Sequence, residues 1–320
     1  MESSLELSVV VPVYNEEENL PELVRRTLSA CDALDTEYEI VLVDDGSTDR
    51  SAALIQEYAN RYAQVTGVIL SFNFGQHAAV TAGLQESRGA YVVTMDADLQ
   101  NPPEEIPKLL EKLRAGYDVV GTIRENRQDT LFRKVASRLV NRMVRRLCRG
   151  RTMTDYGCML RGYSRQVVNA ILLCGENGKF IPMLAMSYAR RTVEITVKHS
   201  ERVAGKSKYN WLKLIALQYD LLTGTSTFPL RLMTFFGFFI AVFGILFGVY
   251  VLIRSQLDKA WGADGVFALF AIAFVLIGFQ FAGMGLLGEY IGKIHLNTRN
   301  RPQFFIAEVL RKSDQDKKIE

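Results

Sequence analysis

Residues 38–49 read Tyr38-Glu39-Ile40-Val41-Leu42-Val43-Asp44-Asp45-Gly46-Ser47-Thr48-Asp49. A β-type run, Tyr38–Val43, ends in a turn crowded with helix-capping residues, and the pattern beyond it predicts a helix through Tyr58. The same phrase recurs on either side. Leu7–Val13 is an apolar run too short for a helix, and Pro21 then opens a segment in which Leu20, Leu23, Val24, Leu28 and Leu34 recur near helical spacing. Val65–Leu70, Ala90–Met95 and Asp118–Thr122 are predicted strands. Gln76–Gln85 and about Glu104–Arg114, the latter opened by Pro103, are predicted helices. Strands alternating with helices predict a largely parallel sheet covered on both faces. Ligands of such sheets bind beyond the carboxyl ends of the strands. The acidic turns Asp44–Asp49 and Asp96–Asp98 both lie there.

The chain has 320 residues, which suits one large domain plus an appendage or two modest domains. Its net charge of +3 makes no general case for a nucleic-acid partner. The cysteines show no Cys-x-x-Cys spacing and the three histidines are scattered, so neither zinc nor a disulfide framework is expected. Met1–Glu6 is short and acidic and Leu7–Val13 is too short for a signal-peptide core, so the N-terminal domain is expected to stay in the cytoplasm.

After Thr130 the character changes. Leu131, Val135, Leu139, Met143 and Leu147 fall near a four-residue spacing among Arg133, Lys134, Arg138, Arg142, Arg145, Arg146 and Arg149. This predicts a basic amphipathic helix that lies at an anionic membrane surface or packs on the sheet as an ordinary surface helix. A second interfacial helix is expected over about Tyr209–Thr223, with Trp211 and Tyr219 as its aromatics. Leu232–Ile253 and Val266–Leu287 carry no charge, and each is about 33 Å long as a helix, enough to cross a bilayer. Basic residues crowd the flanks and are sparse in Arg254–Gly265, which predicts cytoplasmic termini and an external loop. Gly278, Gly283, Gly285 and Gly288 allow close helix contact and permit a homo-oligomer. The expected division is therefore a nucleotide-sugar-binding domain over 1–130 and the rest of the catalytic domain, with its interface helices, over 131–230. Two membrane helices follow over 231–288, and a cytoplasmic tail over 289–320.

Asp96-Ala97-Asp98 follows the fourth strand, where a turn can bring both carboxylates to one hard cation such as Mg2+ or Mn2+. Alone, such a triplet is a common strand-end feature. It is accompanied by Pro12-Val13-Tyr14-Asn15-Glu16 after the first strand and Val43-Asp44-Asp45-Gly46-Ser47 after the second. In this order and spacing the three motifs resemble the family-2 glycosyltransferases with the GT-A fold, over about Leu7–Tyr163.

The resemblance implies a Rossmann-like, mostly parallel GT-A domain that binds a nucleotide sugar. Asp44 or Asp45 would accept the N3–H of uracil. Pro12 and Tyr14 would shape the base and ribose pocket, with Glu16 and Ala97 also on the donor nucleotide. Asp98, with Asp96 and Gln100, would hold Mg2+ or Mn2+ on the diphosphate.

Arg202, Lys206 and Lys208 form a glycine-containing basic loop that either clamps phosphate or is solvated. This loop, the two-span hairpin and Gly288-Glu289-Tyr290-Ile291-Gly292-Lys293 resemble the polyisoprenyl-phosphate glycosyltransferases. Asn73-Phe74-Gly75-Gln76-His77, Leu99–Pro107, Arg127-Gln128-Asp129, Asp155–Arg161 and Gly283–Gly292 are similar to the branch of that family acting on 4-deoxy-4-formamido-L-arabinose. This implies UDP-4-deoxy-4-formamido-L-arabinose as donor and undecaprenyl phosphate as acceptor, with a role in lipid A modification and polymyxin resistance. It places Arg127 among the phosphate-binding residues and Asp155 near the position of a proposed catalytic base. The stretch after Asp155 departs from the Gly-[Asp/Phe]-Arg pattern of glucosyl- and mannosyltransferase relatives, so Asp155 is expected either to act as base or only to position the donor. Transfer of another sugar, such as glucose, to the same lipid is the alternative. A processive polysaccharide synthase would carry a Gln-x-x-Arg-Trp motif and more spans, and neither Trp211 nor Trp261 follows an arginine. A non-enzymatic scaffold would have no need of three acidic strand ends.

Overall fold

The computed structural model describes residues 5–124, 153–154, 158–174, 181–197, 228–257, 265–298 and 302–312. Its described residues within 1–207 and 302–320 form one compact unit, and those within 208–301 form a second.

The first unit is built on an eight-stranded sheet. In chain order it contains β1 (Leu7–Val13), α1 (Leu20–Asp32), β2 (Tyr38–Asp44), α2 (Ser51–Arg61), β3 (Val65–Leu70), α3 (Gln76–Glu86) and β4 (Tyr91–Thr94). A 3-10 turn (Pro103–Glu105) leads into α4 (Ile106–Arg114), followed by β5 (Val119–Arg124), β6 (Arg161–Ser164), α5 (Arg165–Leu173), α6 (Ile181–Tyr188) and β7 (Thr192–Val197). The second unit contributes α7 (Phe228–Leu257) and α8 (Gly265–Thr298), after which the chain returns to the sheet as β8 (Ile306–Leu310). The strand order is β7-β5-β6-β4-β1-β2-β3-β8. Strands β6 and β8 run antiparallel to their neighbours and the remaining pairings are parallel.

Alternation along the strands sends side chains to two faces. Leu7, Val9, Val11 and Val13 pack with Ile40, Leu42 and residues of α1, α2 and α4. Val10, Val41 and Val43 pack with α3 and α5. Both faces of β1 and β2 are buried throughout, which is why these strands read as unbroken apolar runs. Helix α3 sits close to the sheet because Gly83 has no side chain: a Cβ there would lie 2.3 Å from a methyl of Val10.

Pro12 occupies a central strand, where a missing N–H ordinarily breaks the ladder. The carbonyl of Val10 accepts from the Met95 N–H on the β4 side, and Pro12, two residues on, faces the same way. The β4 pairing has already ended at Val10↔Thr94, so no ladder bond is lost.

The segments expected as interface helices, Leu131–Arg149 and Tyr209–Thr223, lie outside the described residues. The two apolar spans form α7 and α8, with stretches long and apolar enough to cross a membrane at Pro229–Tyr250 and Val275–Gly292. The helices run past the expected span limits. Arg254 stands on α7 rather than in the loop, and α8 continues through Tyr290 to Thr298. The expected C-terminal tail therefore holds the end of a helix and a sheet strand.

Candidate active site

The parallel register sets the ends of β1 and β2 side by side, with Val13 opposite Asp44 and the Asp45 N–H on the Val13 carbonyl at 2.8 Å. The turns that follow are joined by a row of side-chain bonds. The Asn15 N–H donates to Ser47 Oγ at 3.0 Å, and the Thr48 N–H to Asn15 Oδ1 at 2.8 Å. The Glu16 N–H meets Ser51 Oγ at 3.0 Å, and the Arg50 N–H meets Glu17 Oε2 at 3.0 Å. To make these contacts Asn15 adopts a left-handed backbone at φ 54°, a region Asn tolerates better than most residues. Tyr14 is exposed at this end of β1, whereas Pro12 is buried. Glu16 accepts Asn19 Nδ2 at 2.7 Å at the entry to α1.

Asp44 and Asp45 are both buried but differently held. Asp44 accepts the Ser47 N–H within its own turn, at 3.2 Å for the nearer oxygen. Asp45 reaches across to the loop before α3 and accepts the Phe74 N–H at 2.8 Å and the Gly75 N–H at 2.9 Å. Burial pushes both carboxyls above the ordinary aspartate value, against the lowering effect of these backbone bonds. Between turn and loop lies Gly46, at φ 69°, where a Cβ would stand 2.5 Å from the Phe72 carbonyl carbon. Only glycine fits this contact and this backbone.

The third turn leaves β4. Asp96 Oδ1 accepts Gln76 Nε2 at 2.6 Å. Ala97 and Asp98 are buried, and Asp98 Oδ1 accepts the Gln100 N–H at 3.2 Å, so Gln100 braces this carboxylate through its backbone. Leu99, buried in the core, holds φ 59°. A left-handed leucine is strained, and such strain persists where packing over-determines it. The strand-end arrangement thus has Asp96 and Asp98 on one turn, and no cluster of three or more His, Cys, Asp or Glu among the described residues. Two carboxylates are a hard oxygen set of the kind that suits Mg2+ or Mn2+, and Asp96 and Asp98 would be its protein ligands.

Beneath the Asp96 turn, β6 carries Arg161, fully buried and in register with Thr94. Tyr163, two residues further along β6, is also buried, and burial raises its hydroxyl. His77 is held below the usual imidazole range by burial and the Arg161 charge. Asn15, Gln76 and Arg161 stand within the motifs read from the sequence but carry no expected role there. The signal for Gln76 was available, because Gly75-Gln76 opens the helix after β3 at the level of the other strand ends.

Asp155, Arg127, Arg202, Lys206 and Lys208 lie outside the described residues. Residues near Asp155 have distinct partners: Thr154 donates to Glu194 of β7, at 2.6 Å from its N–H, and Cys158 contacts Asn101 Oδ1 at 3.3 Å and Thr122 Oγ1 at 2.9 Å. Asn101 follows the Asp98 turn.

Residues 8–172 match the family model described as Glycosyl transferase family 2. An undecaprenyl-phosphate 4-deoxy-4-formamido-L-arabinose transferase from Edwardsiella ictaluri is 54% identical over 316 residues, 98% of this chain and 97% of that protein. A protein of the same name from Klebsiella pneumoniae is 52% identical over 98% of this chain and 96% of its own length. Among solved structures, a mycobacterial protein at 19% identity superposes with a TM-score of 0.51, covering 69% of this chain and 74% of that one, a likeness of fold alone.

Proposed function

The chain belongs to glycosyl transferase family 2, and from that premise we propose that it transfers 4-deoxy-4-formamido-L-arabinose from a UDP donor to undecaprenyl phosphate. The observation that carries the reading is the 54% identity, over nearly the full length of both chains, to a transferase of that name. Three acidic or polar turns at the ends of adjacent strands support it, since a nucleotide sugar needs a base reader and a diphosphate site side by side.

In this reading Asp44 or Asp45 accepts the uracil N3–H, and Tyr14 and Pro12 border the base and ribose. Asp96 and Asp98 would hold Mg2+ or Mn2+, with Gln100 bracing Asp98. The bound ion would neutralise charge on the departing UDP. The nucleophile is a phosphate oxygen of the acceptor. A phosphate monoester has its second pKa at about 6, so near neutral pH it is mostly a dianion and needs no base. The new bond from phosphate oxygen to anomeric carbon forms as the bond to UDP breaks, with inversion. Asp155 then positions the donor rather than removing a proton. Arg127, Arg202, Lys206 and Lys208 supply the basic surroundings for phosphate. Lipid A modification and polymyxin resistance are the biological setting of the proposal.

The long helices α7 and α8 associate the chain with a membrane. Strand β8 returns to the sheet that contains β1–β7, so the chain on either side of the α7–α8 pair belongs to one unit. This supports two crossings with both flanks on the cytoplasmic face and the connection between the helices outside.

A radiolabelled-donor assay with a panel of UDP-sugars tests the sugar assignment. The formamido-arabinose donor is expected to be used in preference to UDP-glucose; preference for UDP-glucose would establish the alternative.

A further inference from the structure

We infer that Gln76, the first residue of α3, is a positioning residue that orients the Asp96 carboxylate for the cation, and that Asp45 holds it in place from the nucleotide end. The inference rests on the reading of Asp96 as a metal ligand.

Three observations converge on Gln76. Its Nε2 donates to Asp96 Oδ1 at 2.6 Å. The two residues before it are fixed by Asp45, whose oxygens accept the Phe74 N–H at 2.8 Å and the Gly75 N–H at 2.9 Å. The same loop is pressed against Gly46 so closely that a Cβ there would lie 2.5 Å from the Phe72 carbonyl carbon. Gly75 turns the chain at φ 92° directly into the helix, so Gln76 projects from a fixed origin.

The chemistry of the side chain matters. Asp96 and Asp98 lie two residues apart beyond the end of β4, outside any regular strand, so strand geometry does not set the direction of either carboxylate and a local partner must. An amide donor can fix the rotation of a carboxylate without cancelling its charge, whereas a lysine or arginine would compete with the cation for it. Outer partners of metal ligands act in this way, and their loss costs about 10–100-fold in affinity or activity. The contact also links the two ends of the donor: the carboxylate at the end of β2 and the one at the end of β4 are joined through a single short loop and one side chain.

The test is Mn2+ binding to the full chain in nanodiscs with UDP present, followed by the electron paramagnetic resonance signal of free Mn2+. Gln76→Met keeps the shape and removes the donor; Gln76→Asn keeps the amide but is one carbon short. Both are expected to weaken Mn2+ binding by about tenfold or more. Gln76 is exposed, so the unfolding midpoint and the metal-free UDP affinity should match the wild type. Wild-type Mn2+ affinity in both variants would overturn the inference while leaving the metal reading standing. Wild-type affinity in Asp96→Ala, or no Mn2+ bound by the unaltered chain with UDP, would overturn the metal reading and the inference with it.

Discussion

At the scale of single residues, Asp44 and Asp45 look alike in sequence and differ in structure. Burial raises both carboxyls, so ionising each costs more in the fold than in the unfolded chain. A carboxyl raised in this way adds stability only below its unfolded value and loses it as pH rises through the folded one, so at neutral pH the charge is a net cost. Asp44→Asn removes that cost and keeps an oxygen for the Ser47 N–H. Its unfolding midpoint at pH 7 should equal or exceed the wild type. Asp45→Asn sets an amide against one of two backbone N–H donors and should lose about 1–3 kcal/mol. Thermal unfolding of the two variants checks this; an Asp44→Asn less stable than Asp45→Asn would contradict it. Calorimetry of the double alanine variant should show weakened UDP binding. Equal affinity of the wild type for UDP and GDP would remove the uracil role. For Asp98, replacement by alanine should cut transfer at least about 100-fold, since a ligand should cost no less than its outer partners. EDTA should abolish wild-type activity, and activity that survives either treatment would refute the metal assignment.

At the scale of elements, β1 to β5 and the helices between them were legible because both faces of those strands are buried and the apolar runs announce them. The missing strands had physical reasons to stay hidden. Arg161-Gly162-Tyr163-Ser164 contains no β-branched residue and forms β6 only because β4 and β5 flank it. Strand β8 pairs with β3 across an interval that contains both long helices, and periodicity within a segment cannot report a partner so distant. The acidic turns were legible from residue type and order, and Gln76 from its place at the start of the helix after β3, but its bond to Asp96 shows only in the folded chain. The returning strand has a testable value. Leu310 is buried opposite Gly67, and Arg311 pairs with Glu86 at 2.9 Å. Leu310→Ala should cost about 2–5 kcal/mol, read as a lowered midpoint in nanodiscs, where other contacts of the sheet stay intact. An unchanged midpoint would show that β8 adds little to the sheet.

At the scale of the whole molecule, the connectivity makes one demand: a chain that leaves a domain, crosses a membrane twice and rejoins the same sheet must have both flanks on one side. A thiol or protease probe confined to the outside should reach the connection between α7 and α8 and spare cysteines placed in β8. Outside labelling of β8 would overturn this topology. In the proposed reading the sheet unit would supply a nucleotide-sugar site at its strand ends, and the acceptor would be a membrane lipid. The claim joining them is the identity of the bond made. Purified chain in nanodiscs, given UDP-4-deoxy-4-formamido-L-arabinose, undecaprenyl phosphate and Mg2+ or Mn2+, should release UDP. Mass spectrometry and NMR of the lipid should then show the formamido sugar on the phosphate with inverted anomeric configuration. Release of UDP without a glycosylated lipid, or a product that keeps the donor's configuration, would contradict the account.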